Sequence, residues 1–255
     1  MKPSFLLSAL LLAAPASVLA LGSPAVAHAD TKGNAVLEKV DEQGNAFRDQ
    51  SYSAKMEIWK GGSKKKTLEF EMAMKGLDKQ FITFTAPGDV AGMKVLMNGQ
   101  KNLWLYNSEF KKVRKIAAHT QKQGMFGSEF TAEDMVMAKL ATLFDAEISG
   151  KSGSKTTLKL TPKSGVTTSY SRIDVVIDST KGGVTKLSYY DGSNNLTRVQ
   201  TRGGWKKVEG KPMPTIITME NKKTGNKTVI KLSNVKVNQG LDEDTFSRRN
   251  LLRGT

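Results

Sequence analysis

The sequence contains no cysteine among its 255 residues. Disulfide bonds, thiolate chemistry and a lipidated N-terminal cysteine are therefore excluded. Histidine is almost as scarce, since His28 and His119 are the only two. His28 lies in a segment that we expect to be removed, and one remaining histidine cannot build a typical zinc site without cysteine. The sequence therefore predicts no metal site.

Acidic residues are also few, with 24 Asp and Glu against 39 Lys and Arg and a formal net charge of +15. Such an excess favours anionic partners: nucleic acid, acidic polysaccharide or lipid head groups. The aromatic residues number only 10 Phe, 5 Tyr and 3 Trp. The tryptophans do not alternate with basic residues as a stacking platform for nucleic acid requires. We therefore expect no nucleic-acid partner, while a binding module for an anionic envelope polymer stays an open alternative.

One long apolar run is present, FLLSALLLAAPASVLALG, near the N-terminus. It leads into AVAHAD, whose small residues suit the minus-three and minus-one positions of a cleavage site. We interpret residues 1–29 as a signal peptide cleaved after Ala29, with a cut after Ala20 as the alternative. An uncleaved membrane anchor is the competing interpretation, which Pro15 disfavours. Residues 30–255 are expected to form a single soluble domain in the periplasm of a Gram-negative envelope.

The dominant hydrophobic period along the chain is two, which is typical of half-buried strands. Glycine and asparagine turns separate the alternating runs, so the sequence predicts about ten antiparallel strands. The clearest runs are YSAKMEI (52–58), TLEFEMAMK (67–75), RIDVVID (172–178) and TVIKLSNVKV (228–237).

Two segments depart from this pattern and predict helices. The first covers residues 32–51, with Val36, Leu37, Val40 and Phe47 on its apolar face. The second runs from Ala132 to Leu140, inserted between strands. Thr131 and Asp134 form a capping-box variant at its start. Two helices lying across a curved sheet would cover its concave apolar face.

Methionine is unusually concentrated: eight of the eleven lie between residues 56 and 137. Stiff Leu, Ile and Val side chains specify a core better, whereas flexible, polarizable methionine suits surfaces that adapt to varied apolar partners. Ordinary core filling is the alternative for any single methionine. For the cluster as a whole we favour a deformable apolar cavity.

Three stretches resemble one known family. NGQKNLWLYN (98–107) is similar to the DGKTLWFYNP-like hairpin of the outer-membrane lipoprotein carriers LolA and LolB. KKVRKI (111–116), GMFGSEFTAEDM (124–135) and LDEDTFSRRNL (241–251) resemble the branch described as outer-membrane lipoprotein-sorting proteins. Taken in order, the resemblance covers most of residues 30–255.

The resemblance implies a mainly β fold: an unclosed antiparallel β-barrel, or half-barrel, covered by short α-helices that act as a lid. It implies no cofactor and no catalytic residues. It implies a monomeric carrier for the acyl chains of a lipoprotein or lipid, loaded by an inner-membrane transporter or exporter, in transient contact with the membrane surface, and unloaded to an outer-membrane acceptor. The expected cavity residues are Met56, Phe70, Met72, Met74, Phe84, Leu96, Trp104, Phe126, Phe130, Met135, Met137 and Leu140.

Two further sets of residues have expected roles in this carrier. Gly124, Gly127 and Ser128 are the predicted hinge of the lid, since glycine tolerates the backbone changes that opening requires. The run at the end of the 98–107 hairpin is the predicted basic docking surface, formed by Lys111, Lys112, Arg114 and Lys115. Carriers of the family hold the lid shut with an arginine on an early strand. The corresponding stretch here, MAMKGLD (72–78), offers only Lys75.

Two competing functions are considered. An enzyme would need a catalytic constellation, and the best candidates are the carboxylates Glu129, Glu133 and Asp134. These are more simply explained as a helix start favoured by the helix dipole. The second competing function is that of a periplasmic partner of a lipid exporter, which has the same fold but carries a lipid that is not a lipoprotein.

Overall fold

A computed structural model describes residues 30–100, 102–117 and 120–253. The predicted signal peptide, with both proposed cleavage sites, and His119 lie outside the described residues. The strands are β1 Asp49–Lys60, β2 Ser63–Lys75, β3 Lys79–Ala86, β4 Lys94–Asn98, β5 Leu103–Asn107, β6 Lys112–Lys115, β7 Phe144–Ser152, β8 Lys155–Pro162, β9 Arg172–Asp178, β10 Gly183–Tyr190, β11 Leu196–Gly203, β12 Lys206–Val208, β13 Lys211–Met213, β14 Ile216–Asn221 and β15 Lys227–Val237. The α-helices are α1 Thr31–Gly44, α2 Ala132–Val136 and α3 Arg248–Leu252, and short 3₁₀ helices cover Met125–Gly127, Leu140–Thr142 and Glu243–Phe246.

In the described part of the chain, one 13-stranded sheet has the order β6-β5-β4-β3-β2-β1-β15-β14-β11-β10-β9-β8-β7, with β12 and β13 forming a separate hairpin. Every pairing is antiparallel, as expected for strands joined by tight turns. The edge strands β6 and β7 are not paired with each other, so the barrel stays open. The segment between these edges carries α2. The predicted mainly β, unclosed barrel with short helices is confirmed.

Strand alternation places apolar side chains on the concave face of this sheet. In β2, for example, Leu68 and Phe70 are buried while Glu69 and Glu71 face outward. The two halves of the sheet hold separate apolar clusters. One half contributes Ala54, Met56, Ile58, Leu68, Phe70, Phe84, Val95, Met97, Leu103 and Leu105, and the other Phe144, Leu158, Leu160, Ile173, Val175 and Leu187.

Helix α1 lies against β7 and covers the second of these clusters. Leu37 is fully buried there, and Gly33 is required by a close approach, because a Cβ atom at this position would lie 2.2 Å from the carbonyl oxygen of Ala146. The helix ends at Gly44, earlier than predicted, since β1 begins at Asp49. Phe47, placed on the helix by the sequence, lies instead in the connection to β1.

The C-terminal segment covers part of the convex face. Phe246 and Leu251 are almost fully buried against Phe81 and Leu96, with Trp104 packed beside them. The prediction that Leu96 and Trp104 line the cavity is therefore wrong. Both side chains point to the opposite side of the sheet, because their strands are apolar on both faces and the parity of the alternation was assigned one residue out of step.

Candidate functional site

The concave face of the sheet encloses an apolar cavity of about 380 Å³ between the strands, helix α1 and the segment that carries α2. This volume lies within the range of small-molecule pockets. Nine of the twelve predicted residues line it: Met56, Phe70, Met72, Met74, Phe84, Phe126, Phe130, Met135 and Leu140. Met137 does not line the cavity. Helix α2 ends at Val136, and the Met137 side chain packs in the core cluster that contains Leu37.

One wall of the cavity is aromatic. The ring of Phe84 lies 4.4 Å from that of Phe126 and 5.5 Å from that of Phe70, measured between centroids. Phe84 belongs to β3 and Phe70 to its cross-strand partner position on β2, whereas Phe126 comes from the segment crossing the opening. The tilted rings therefore add an apolar contact between that segment and the sheet.

Tyr52 contributes a polar group to the same wall. It stands opposite Met72 across β1 and β2 and donates its hydroxyl to the Met72 sulfur at 2.8 Å, with the Met74 sulfur at 3.7 Å. Burial raises the pKa of the Tyr52 hydroxyl well above its ordinary value, so the phenol stays neutral. The methionine side chains thus satisfy a buried donor as well as lining the cavity.

We define residues 124–140 as the lid segment. The predicted capping box is confirmed: Thr131 Oγ1 accepts from the Asp134 amide at 3.3 Å, and the Asp134 carboxylate accepts from the Thr131 amide at 2.7 Å. The helix itself is shorter than predicted, since α2 covers only Ala132–Val136. The Ala132 and Glu133 side chains are buried, so the segment packs against the rest of the protein.

The three predicted hinge residues share one tight turn at the start of the lid segment. The Met125 amide donates to the Phe130 carbonyl at 2.8 Å and closes it. Gly124 has no room for a side chain, because a Cβ atom would lie 2.1 Å from the carbonyl oxygen of Ser128. Gly127 has a positive φ of 80°, which favours glycine. The geometry explains both glycines, and their role as a hinge stays a prediction.

Arg198 of β11 holds the lid segment by a buried ion pair that the sequence analysis missed. Its guanidinium donates to both carboxylate oxygens of Asp134, at 2.8 and 2.9 Å, and to the Glu129 carbonyl at 2.7 Å. It also contacts the Tyr170 hydroxyl. The side chains of Arg198 and Asp134 are only 10% and 9% exposed. This bidentate geometry is specific to arginine.

Lys75, which the sequence analysis considered for holding the lid shut, contacts the C-terminal segment instead. Its ammonium group pairs with Glu243 at 2.9 Å and donates to the Leu241 carbonyl at 3.1 Å. It therefore holds the C-terminal segment on the convex side and makes no contact with the lid segment. The only advance signal for Arg198 was its place in LTRVQTRG, where three polar side chains alternate on an inner strand.

The remaining carboxylates of the lid segment are also structural. Glu133 accepts from the Thr168 hydroxyl at 2.7 Å and from the Ser169 amide at 2.8 Å. Glu129 accepts from the Asn221 side chain at 3.0 Å. At the far end, Asp41 of α1 accepts from the amides of residues 140 and 141. Each acidic side chain is engaged with a neighbouring element, as expected for anchors rather than for a proton-transfer pair.

A second, polar depression of about 580 Å³ lies on the outer side of the lid turn. Its lining includes Lys60, Lys122, Lys223, Glu129 and Asp191. This charged lining is unsuited to acyl chains. The apolar cavity is therefore the better candidate for a lipid site.

The four residues of the predicted docking surface lie on and beside the edge strand β6. Lys112, Arg114 and Lys115 are exposed, and no carboxylate of the described residues pairs with any of the four. Alternation divides them between two faces: Arg114 stands opposite Leu105, whereas Lys115 lies over the Trp104 ring at 5.6 Å on the convex side. Their role in docking stays a prediction.

No helix within residues 30–100, 102–117 and 120–253 is long and apolar enough to cross a bilayer. Within the same ranges, no cluster of three or more His, Asp or Glu side chains is arranged to hold a metal ion.

Comparisons with known proteins place this fold. A family model whose description reads "uncharacterized protein" matches residues 76–253, and no curated protein matches the chain. A DUF1329 family protein from Desulfovibrio piger is 25% identical with a TM-score of 0.79, covering 86% of this chain and 97% of its own. An outer membrane lipoprotein-sorting protein domain from Vibrio parahaemolyticus is 21% identical, with a TM-score of 0.78 and coverages of 87% and 99%.

A LolA superfamily protein from Nitrosomonas europaea is 19% identical, with a TM-score of 0.71 and coverages of 86% and 98%. At these identities the last two matches establish the fold alone, and they agree with the open barrel and cavity described above. The family model covers well over half of the chain. The chain therefore belongs to the family that this model represents, and its fold is that of the DUF1329, lipoprotein-sorting and LolA superfamily structures to which it is similar.

Proposed function

We propose that the protein is a periplasmic carrier that binds the acyl chains of a lipoprotein or lipid in the apolar cavity and shuttles them towards the outer membrane. One observation carries the proposal: a cavity of about 380 Å³ lined by methionine and phenylalanine lies beneath a lid segment that polar contacts hold in place. The similar structures of a lipoprotein-sorting protein domain and of a LolA superfamily protein support the same class of function.

The physical argument is one of exchange. Each buried methylene contributes about 0.8 kcal/mol, so an amphiphile with two or three long chains faces roughly 20 to 30 kcal/mol on leaving a bilayer unaided. An apolar cavity replaces one apolar environment with another and removes most of that cost. Flexible methionine lining keeps the fit adaptable. In this proposal the protein loads at an inner-membrane transporter or exporter and delivers to an outer-membrane acceptor.

The test is a charge placed in the cavity. Met72→Asp puts a carboxylate beside Tyr52, in the middle of the apolar wall, whereas the matched control Met72→Leu keeps the wall apolar. We expect Met72→Asp to abolish binding of a fluorescent acyl probe at a moderate cost in stability, and Met72→Leu to retain it. Native mass spectrometry of protein from its own envelope then identifies the cargo. Wild-type probe binding by a folded Met72→Asp variant would contradict the proposal.

A further inference from the structure

Strand β11 differs from its neighbours on the concave face. Alternation turns Arg198, Gln200 and Arg202 to the inside of the sheet, where adjoining strands present apolar side chains such as Leu187 and Ile217. Gln200 and Arg202 line the acyl cavity itself. This polar row faces the methionine-rich wall of β1, β2 and β3.

The two arginines of the row have very different surroundings. Arg198 is neutralised by Asp134. Arg202 donates from Nε to the Gln200 Oε1 at 2.9 Å, and no carboxylate of the described residues lies within ion-pair distance of it. The terminal nitrogens of Arg202 and the Gln200 amide nitrogen have no protein acceptor in the same part of the chain. A cluster of donors with one uncompensated positive charge thus faces a mainly apolar space.

The positive charge of Arg202 is not removed by deprotonation. Burial lowers the pKa of Arg202 from its ordinary value, but guanidinium groups remain protonated in proteins. Arg202 is half-buried, and its terminal nitrogens are not sealed in the core but reached from the cavity that the residue lines. A charge without a partner beside a mainly apolar space is costly, and an anion entering the cavity would offset that cost.

We propose that Arg202 and Gln200 bind the anionic group, a carboxylate or a phosphate, of the acyl cargo, while its chain lies against Met56, Met72 and Phe70. This inference rests on the proposed carrier function and deepens it, since it specifies an anionic amphiphile as the preferred ligand class. The planar fork of the guanidinium suits both anions, because it donates two parallel hydrogen bonds. The source is then a free fatty acid or a phosphorylated lipid.

The experiment compares three ligands with one chain on delipidated full-length mature protein: hexadecanoic acid, hexadecyl phosphate and hexadecanol. Dissociation constants come from displacement of an uncharged fluorescent acyl probe. We expect at least one of the two anions to bind about 10- to 100-fold more tightly than the alcohol, as charge-assisted hydrogen bonds allow. Preference for the acid or for the phosphate identifies the source.

Arg202→Met should remove this preference by weakening the binding of the two anions far more than that of hexadecanol, and Arg202→Lys should restore part of it. The matched control is Lys186→Met, which removes one positive charge from the exposed face of the neighbouring strand β10 and should keep the full preference. Equal wild-type affinities for all three ligands, or a preference that persists in Arg202→Met, would overturn the inference and leave the carrier function intact. If even the alcohol fails to bind, the carrier function itself is wrong.

Discussion

The Arg198–Asp134 ion pair controls, in this account, how readily the lid segment leaves the sheet. Asp134→Asn tests it, because asparagine keeps an oxygen for the capping contact with Thr131 and removes only the charge. The side chains are about nine-tenths buried, so solvent screens the interaction little. Breaking a buried pair by removing one partner costs about 3 to 5 kcal/mol. Opening of the lid segment should therefore increase by roughly two to four orders of magnitude.

Hydrogen exchange measured by mass spectrometry on peptides covering residues 124–140 reports this opening. In Asp134→Asn, protection should fall in these peptides and stay near wild type in β1 and β2, and an acyl probe should load faster. Glu147→Gln is the control, because it breaks an exposed pair with Lys159 at 3.7 Å and should change little. Unchanged protection in 124–140, or an equal loss along the whole chain, would refute the reasoning.

Two further predictions concern other parts of the surface. Reversing the charges of the predicted docking surface, formed by Lys111, Lys112, Arg114 and Lys115, should weaken association with anionic vesicles at low salt and leave probe binding intact. An equal loss of vesicle binding at low and high salt would contradict an electrostatic role. Glu243 makes side-chain hydrogen bonds to Lys79 and Lys75 that lower its carboxyl pKa from 4.5 to about 2. A carboxyl group whose pKa is lowered by folding stabilises the folded state at pH values above its ordinary pKa. This stability is lost as the pH falls towards the lowered pKa. Stability of the C-terminal segment should therefore decrease more in wild type than in Glu243→Gln between about pH 4.5 and 2, since Asp244, whose pKa is also lowered, titrates in both; hydrogen exchange around Phe246 measures the difference.

The sequence predicted the sheet well because a period of two is a local signal. It predicted the wrong face for Leu96 because β4 is apolar at three successive positions, Val95 to Met97, and all three side chains are buried although they alternate between the two faces of the sheet. No alternation was left to show which face was concave. The convex cover comes from Phe246 and Leu251, about 150 residues along the chain, and only tertiary structure reveals it.

The site was predictable where it depended on composition and hidden where it depended on distant pairing. Methionine-rich alternation in β1 and β2 predicted the cavity wall. The partners Arg198 and Asp134 are 64 residues apart, and nothing local to either joins them. Arg202 was equally hidden, because a basic residue on a strand in a strongly basic chain normally faces solvent.

The most direct test of the central claim is photocrosslinking with a fatty acid that carries a diazirine near the end of its chain. After irradiation of the loaded wild-type protein, mass spectrometry locates the modified residues. We expect crosslinks on the cavity residues of β1, β2, β3 and the lid segment, chiefly Met56, Phe70, Met72, Phe84 and Met135. In Met72→Asp these crosslinks should be lost. Crosslinks spread over the convex face, or the same pattern in Met72→Asp, would contradict the claim that the acyl chain lies in this cavity.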